Sequence, residues 1–255
     1  GLQILWAKGC GDDGKTDETL LSEAAELAKA ADKVVLCVGL TDILESEGYD
    51  RRDMRMPEGH LRLIEEICGV NSNTVVVLHN GAPVEMPWAD LPKGIIEAYL
   101  AGQAVGEALL NILYGEVNPS GHLAESFPFR LEDNPSYLYF GGENGMVSYQ
   151  EGLFIGYRYY ESKKMPVRFP FGYGLSYTAF TYHDLSVEKE KLDESESVKV
   201  SVQVTNTGSV TGKAVIQLYV APEKAEAVRP VRELKAFDKI ELHPDETKEV
   251  IFVLE

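Results

Sequence analysis

Hydrophobic positions in the first part of the chain recur alternately with the spacing of helices and of buried strands. Residues 16–31 carry leucines and alanines at helical spacing, and Thr16 or Asp17 is placed to cap the first turn. Residues 34–38 form a continuous apolar run, which is typical of a strand buried on both faces. The alternation continues with a helix at 58–68, strands at 74–78 and 95–100, and a helix at 103–113 that stops near Gly115. This order predicts a mainly parallel sheet with helices on both faces, a partial three-layer α/β/α sandwich.

Three strands make a thin sheet, and further strands are expected before residue 1 in a parent protein. In the helix at 58–68, the helical spacing predicts that Leu61, Ile64 and either Ile67 or Cys68 face the core. The crossover connections between the parallel strands are expected to be right-handed.

The hydrophobic pattern changes after about residue 125. Residues 126–180 are rich in proline, glycine and tyrosine, and they are predicted to form an ordered connecting segment whose aromatic run, 157–160, packs between the two halves. From residue 184 the period becomes two, with turns at 206–209 and 243–246. Four or five strands of this kind predict an immunoglobulin-like or fibronectin type III-like β-sandwich, incomplete beside the about seven strands that are usual. The predicted domains are therefore 1–180, including the connecting segment, and 181–255.

Composition and charge exclude several classes of function. The chain is 44% hydrophobic and 25% charged, with a formal net charge of −17, so a nucleic-acid partner and binding to anionic membranes are not expected. The five histidines are scattered and the three cysteines lack metal-ligand spacing, which predicts no metal site. An odd number of cysteines, with Cys37 inside a core strand, favours a reducing cytoplasm over a secreted disulfide framework, although secretion stays open.

Ligands of open α/β sheets bind beyond the carboxyl ends of the strands, where three loops are predicted: 41–57, 79–83 and 101–103. The first is long enough to be functional, and it contains a candidate general acid, Glu47, followed by Gly48 for a sharp bend. Arg51 and Arg52 can pair with Glu45 or Asp50. On spacing alone, solvated surface is the favoured interpretation of these carboxylates. Weaker candidates are Tyr49, which lines a sugar site or packs the loop, His79 and Asn80 in a turn, and Glu85 and Trp88 as anchors between strands.

A series of motifs in one order adds to this interpretation. It consists of Ser46-Glu47-Gly48-Tyr49-Asp50-Arg51, Gly81-Ala82-Pro83-Val84-Glu85-Met86-Pro87-Trp88, Asn118-Pro119-Ser120-Gly121, Gly156-Tyr157-Arg158-Tyr159-Tyr160, Pro170-Phe171-Gly172-Tyr173-Gly174-Leu175-Ser176-Tyr177 and Val204-Thr205-Asn206-Thr207-Gly208. The series resembles the C-terminal region of family 3 glycoside hydrolases of the β-glucosidase type, over nearly the whole chain. The resemblance implies a retaining mechanism in which Glu47 is the acid/base residue and Tyr49 contacts the substrate, without metal or organic cofactor.

The resemblance also implies that part of the active site lies elsewhere. The family's nucleophilic aspartate belongs to a separate (β/α)8 barrel, in a Ser-Asp-Trp-like motif, and neither Trp6 nor Trp88 follows Ser-Asp. The expected partners are therefore this barrel domain and a β-glucoside or oligosaccharide, and the chain alone is expected to be inactive. Open strand edges also allow association with a second copy. The alternative hypothesis is a non-catalytic carbohydrate-binding or structural module, in which the loop is only surface.

Overall fold

The computed structural model describes residues 3–191, 193 and 196–254. The chain divides into two compact units. The first comprises Gly1–Gly106 and Phe127–Tyr137, and the second comprises Glu107–Ser126 and Leu138–Glu255. The first unit is therefore built from two separate stretches of sequence.

The first unit is an α/β layer structure around a parallel sheet. Its elements are α1 (Glu18–Ala30), β1 (Val34–Gly39), α2 (Glu58–Val70), β2 (Thr74–His79) and β3 (Gly94–Glu97). The strands lie in the order β1-β2-β3 and both pairs are parallel, so the predicted parallel sheet is confirmed. Helix α1 begins after Asp17, whose carboxylate accepts a hydrogen bond from the Leu20 amide at 2.9 Å, as the sequence predicts for an N-cap.

The core of this unit includes Ile64 of α2 and Val76, Val77 and Leu78 of β2, all of which are fully buried. The structure corrects one detail of the predicted helix face. Leu61 is only half-buried, and Leu63 takes the core position instead, beside Ile64 and Ile67.

Strand β1 is not buried on both faces, so that prediction is wrong. Leu36 and Val38 are buried, but Val35 is 49% exposed and Cys37 is exposed. Successive residues of a strand point to opposite faces, so Leu36 and Val38 share one face and Val35 and Cys37 share the other. Among the described residues β1 has β2 as its only strand neighbour. The third strand is also shorter than predicted: it ends at Glu97, and Tyr99 has a φ of +47°, which is outside strand geometry.

The second unit contains an antiparallel β-sandwich. Helix α3 (Val105–Leu113) begins at the boundary between the units, and α4 (Tyr157–Ser162) precedes β4 (Phe180–Val187), β5 (Val198–Asn206), β6 (Gly212–Val220), β7 (Glu233–Leu242) and β8 (Thr247–Leu254). One sheet has the order β4-β5-β8 and the other pairs β6 with β7, all antiparallel. Their inner faces bury one cluster formed by Val204, Ala214, Ile216, Leu242, Val250 and Phe252. The predicted sandwich is thus confirmed, with five strands in the described part of the chain.

The aromatic run of the connecting segment packs inside the second unit. Tyr157 stacks on Phe171 with 5.0 Å between ring centroids and meets the edge of Tyr219 at 5.7 Å. Its hydroxyl accepts a hydrogen bond from the Leu234 amide at 2.7 Å. These rings therefore serve as structural core within the second unit, whereas the sequence predicts that the run packs between the two halves of the chain.

Candidate active-site loop

The carboxyl ends of β1 and β2 lie side by side, which places the loops that follow them next to each other. Gly39 pairs with His79 at the end of the parallel register, and the Leu40 amide donates a hydrogen bond to the His79 carbonyl oxygen at 2.9 Å. A β-carbon on Gly39 would lie 1.9 Å from that oxygen, so the two strands can approach this closely only because residue 39 is glycine.

The second half of the loop between β1 and α2 is fixed by buried side chains. Met54 and Met56 are 7% and 4% exposed, and the Met54 carbonyl oxygen accepts a hydrogen bond from the Glu85 amide at 2.8 Å. Nη1 of Arg51 donates to the Pro83 carbonyl oxygen at 3.3 Å. The base of the loop is therefore joined to the segment that follows β2.

The first half of the loop is closed by a turn and by two side chains. The Thr41 carbonyl oxygen accepts hydrogen bonds from the amides of Leu44 and Glu45 at 2.8 and 2.9 Å. This turn directs the Glu45 carboxylate to the turn after β2, where Oε2 accepts from the Gly81 amide at 2.6 Å. On the other side of the tip, the Tyr49 hydroxyl lies 2.6 Å from the carbonyl oxygen of Ile43.

Glu47 lies at the tip between these fixed points. It is exposed, and in the described part of the chain no residue makes a hydrogen bond or ion pair with its carboxylate. The next residue, Gly48, has a φ of +93° and open space around it, so the bend is one that other residues adopt only with strain. A carboxylate in this setting is available to groups outside the chain.

Arg51 and Arg52 do not form the ion pairs with Glu45 or Asp50 that the sequence predicts. Burial lowers the pKa of the Arg51 guanidinium, and the charges of Glu45 and Asp53 oppose that shift. No described carboxylate lies within ion-pair distance of Arg51 or Arg52, and Asp50 is exposed. The predicted ion pairs are therefore absent there. Arg51 instead donates hydrogen bonds to the carbonyl oxygens of Pro83 and Arg55. These neutral acceptors satisfy the guanidinium without the burial of a second charge.

The remaining candidates have mainly structural surroundings. The Tyr49 ring is 49% exposed and its hydroxyl is used within the loop, so a contact of this ring with substrate stays a prediction. Asn80 is fully buried, and its amide donates to the Ala82 carbonyl oxygen at 2.9 Å, as expected of a turn residue. Trp88 is 3% exposed, which suits an anchor and leaves no open face for a sugar.

Sequence reasoning missed the direct contact of Glu45 with Gly81. The sequence shows only a carboxylate two residues before the candidate acid and a glycine directly after Asn80. Neither segment contains a signal that these two residues are in contact. Within the described residues, no group of three or more histidine, cysteine, aspartate or glutamate side chains is arranged to hold a metal ion. None of the helices that are described has the length and apolar character needed to cross a membrane.

Comparisons with known proteins agree with this architecture. Residues 7–177 match the model of the glycosyl hydrolase family 3 C-terminal domain, and residues 214–255 match a fibronectin type III-like domain. The chain is 53% identical to thermostable beta-glucosidase B of Acetivibrio thermocellus, over 100% of this chain and 34% of that protein.

Two solved structures resemble it closely. The GH3 beta-glucosidase of Bifidobacterium adolescentis superposes with a TM-score of 0.93 and 43% identity, covering 98% of this chain and 37% of the other. The beta-glucosidase of Kluyveromyces marxianus in complex with glucose gives a TM-score of 0.86 and 42% identity, covering 94% and 29%. The chain thus spans about a third of the length of the relatives it matches. With two thirds of its residues in the matched C-terminal domain, this chain belongs to glycoside hydrolase family 3.

Proposed function

We propose that this chain is part of a retaining β-glucosidase that releases terminal β-D-glucosyl residues, and that Glu47 is its acid/base residue. One observation carries the proposal. Glu47 is an exposed carboxylate on a loop whose two sides are fixed, at the carboxyl edge of the sheet of a family 3 C-terminal domain. The similar proteins named above are called beta-glucosidases, which supports the same substrate class.

The mechanism needs a second carboxylate, which we assign to the aspartate of a (β/α)8 barrel outside this chain. In the first step that aspartate bonds to the anomeric carbon while the Glu47 carboxyl gives its proton to the departing glycosidic oxygen. In the second step the Glu47 carboxylate removes a proton from water, the water oxygen attacks the anomeric carbon, and the aspartate leaves. Retaining enzymes keep the two carboxyl groups about 5–5.5 Å apart, so the tip of the loop must reach the barrel.

A complementation experiment tests the division of the active site. Hydrolysis of aryl β-glucosides is measured with this chain alone, with a barrel-containing partner alone, and with both together. We expect activity only in the mixture. Robust turnover by this chain alone would place the nucleophile inside these residues and contradict the proposal.

Substitution tests the role of Glu47 itself. In the complemented enzyme, Glu47→Gln should lower kcat/KM for substrates with poor leaving groups by about 10²–10⁴-fold, the usual contribution of general acid–base catalysis. Asp42→Asn is a matched control, because Asp42 is an exposed carboxylate of the same loop. Azide attacks the glycosyl-enzyme without needing a base, so it should restore turnover of activated substrates by Glu47→Gln and yield a β-glucosyl azide. Equal activities of the two variants would instead support a non-catalytic module.

A further inference from the structure

We infer that Glu45 is a positioning residue for Glu47. Its hydrogen bond to the turn after β2 holds the tip of the loop and thereby determines how far the Glu47 carboxylate extends from the sheet. The inference rests on the proposed function, because the position of Glu47 matters for activity only if Glu47 is the acid/base residue. The contact itself is short: Glu45 Oε2 and the Gly81 amide nitrogen are 2.6 Å apart. A hydrogen bond from a backbone N–H to an ionised carboxylate is about twice as strong as a neutral one.

The position of Glu45 in the chain makes it suitable for this purpose. It stands two residues before Glu47, and its backbone is held by the turn in which the Thr41 carbonyl oxygen accepts from its amide. On the other side of Glu47, Gly48 has no side chain, and the space around its β-carbon position is open, so no packing contact there fixes the backbone. The direction of Glu47 therefore depends on contacts of nearby residues, of which the Glu45–Gly81 and Arg51–Pro83 contacts leave the loop.

A second connection joins the two loops on the other side of Glu47. Nη1 of Arg51 donates a hydrogen bond to the Pro83 carbonyl oxygen at 3.3 Å. Loss of Glu45 would thus remove the contact at Gly81 and leave the contact at Pro83 in place. The two connections restrain the loop on either side of Glu47, at residues 45 and 51.

The consequence for catalysis follows from geometry. A general acid must come within hydrogen-bond reach of the leaving oxygen, and a misplacement of about 1 Å can cost about 10²-fold in rate. The cost falls on substrates whose leaving group needs the proton. A good leaving group departs without being protonated, so substrates that carry one should be far less affected.

The test compares four variants in the complemented enzyme, with Asp42→Asn as the control. Glu45→Ala should lower kcat/KM about 10- to 100-fold for unactivated alkyl or aryl glucosides and only severalfold for a dinitrophenyl glucoside. Glu45→Gln retains an oxygen that accepts from Gly81, so most of the activity should return. A general loss of stability would lower both substrate classes equally, and the melting temperature of each variant monitors it.

Gly81→Ala approaches the same contact from the other side. Its β-carbon would lie 3.1–3.2 Å from the Glu45 carboxylate atoms, so it should push the carboxylate and cause a smaller loss for the same substrates. In the double variant Glu45→Ala/Gly81→Ala the crowded group is gone, and the alanine at 81 should add nothing further. This non-additivity is the result expected of two residues that share one contact.

The outcomes separate the two proposals. If Glu47→Gln loses activity while Glu45→Ala matches the control, the positioning role is wrong and the proposed function stands. If Glu47→Gln loses nothing, the proposed function is wrong. If Glu45→Ala loses as much as Glu47→Gln and azide restores its turnover, Glu45 is itself the acid/base residue and both proposals are overturned.

Discussion

The hydroxyl of Tyr49 donates a hydrogen bond to the carbonyl oxygen of Ile43 at 2.6 Å, and this contact closes the tip that contains Glu47. The two residues lie on either side of Glu47, six positions apart in the chain. The Asp42 carbonyl oxygen is also within reach, at 2.8 Å. The hydroxyl therefore has an acceptor inside the loop, and the ring remains half-exposed.

Tyr49→Phe removes that hydrogen bond and retains the ring. We expect kcat/KM for unactivated glucosides to fall about fivefold, since a hydrogen bond of this kind contributes about 1 kcal/mol. KM should change little. If the ring instead contacts substrate, Tyr49→Phe will be nearly silent and Tyr49→Ala will raise KM; steady-state kinetics on both variants distinguish the two roles.

His60 should make the first unit less stable at mildly acidic pH. Its Nδ1 lies 2.9 Å from the Gly39 carbonyl oxygen, and burial lowers the pKa of its imidazole, partly opposed by that hydrogen bond. The unfolded chain binds the proton more readily than the folded one, so stability is complete above about pH 6.5 and is lost as pH falls below it, down to the folded pKa. Chemical unfolding followed by the fluorescence of buried Trp88 at pH 5–8 measures this slope.

His60→Gln is the matched variant for that measurement, because it cannot titrate. The slope between pH 5 and 6.5 should be shallower in the variant than in the parent chain. The carboxylates whose pKa is lowered by their partners, such as Glu246 beside the His243 amide, lose stability only at more acidic pH. If the free energy of unfolding changes equally with pH in both proteins, His60 does not cause the loss of stability at mildly acidic pH.

Replacement by alanine should have opposite effects on the free energy of unfolding at two glycines of the first unit. Gly39→Ala places a β-carbon 1.9 Å from a backbone oxygen, which must move, and we expect a loss of about 2–3 kcal/mol in the free energy of unfolding. Gly69, in helix α2, has open space around it, so Gly69→Ala should stabilise by about 0.5–1 kcal/mol. Denaturant titrations of both variants provide the comparison, and a neutral Gly39→Ala would contradict the close approach of the two strands.

Asn206 is a buried polar residue on which the sandwich depends. Its side chain is fully buried and makes four hydrogen bonds, with Thr178 Oγ1, the Gly208 amide and the carbonyl oxygens of Val210 and Leu242. Asn206→Leu removes this partner from all four groups, of which the hydrogen bond to the Leu242 carbonyl is fully buried and the other three are partly buried. We expect a loss of about 3–5 kcal/mol, because each unsatisfied buried group costs about 1–3 kcal/mol and some will relax toward water.

Unfolding followed by far-UV circular dichroism measures that loss. Both tryptophans of the sequence belong to the first unit, so the fluorescence transition serves as an internal control. Lys199→Met, at an exposed position of the same strand, should stay within about 0.5 kcal/mol of the parent chain. A similarly small effect of Asn206→Leu would show that its hydrogen bonds contribute little.

Local patterns predicted much of the fold because they are set by neighbouring residues. The Asp17 cap depends on a side chain and an amide three residues away, and the parallel order follows from strands that alternate with helices. In a parallel sheet the carboxyl ends of the strands lie at the same edge. The proximity of loops 41–57 and 79–83 therefore follows from the parallel arrangement alone. Glu47 was placed on this edge by the same reasoning.

The parts that the sequence did not predict depend on distant or missing neighbours. The Glu45–Gly81 contact joins residues 36 positions apart, and its formation depends on the exact turn at Thr41. The exposure of Val35 and Cys37 cannot be inferred from the apolar run 34–38, because an apolar residue looks the same in a sequence whether or not another element covers it. Leu61 and Leu63 lie about 200° apart around helix α2, on either side of the stripe that contains Ile64 and Ile67, and periodicity does not resolve which side is buried.

The first unit is discontinuous in sequence, and this affects the order in which it can form during synthesis. Phe127 is 1% exposed and packs edge-on against Tyr99, with 6.4 Å between ring centroids, although residues 107–126 between them belong to the other unit. The nascent α/β unit must therefore wait for Phe127–Tyr137, a delay of a few seconds at about 5–20 residues per second. During that time a chaperone could bind the surface that Phe127 later covers. A single proteolytic cut that releases this unit whole must also release residues 107–126, which belong to the other unit.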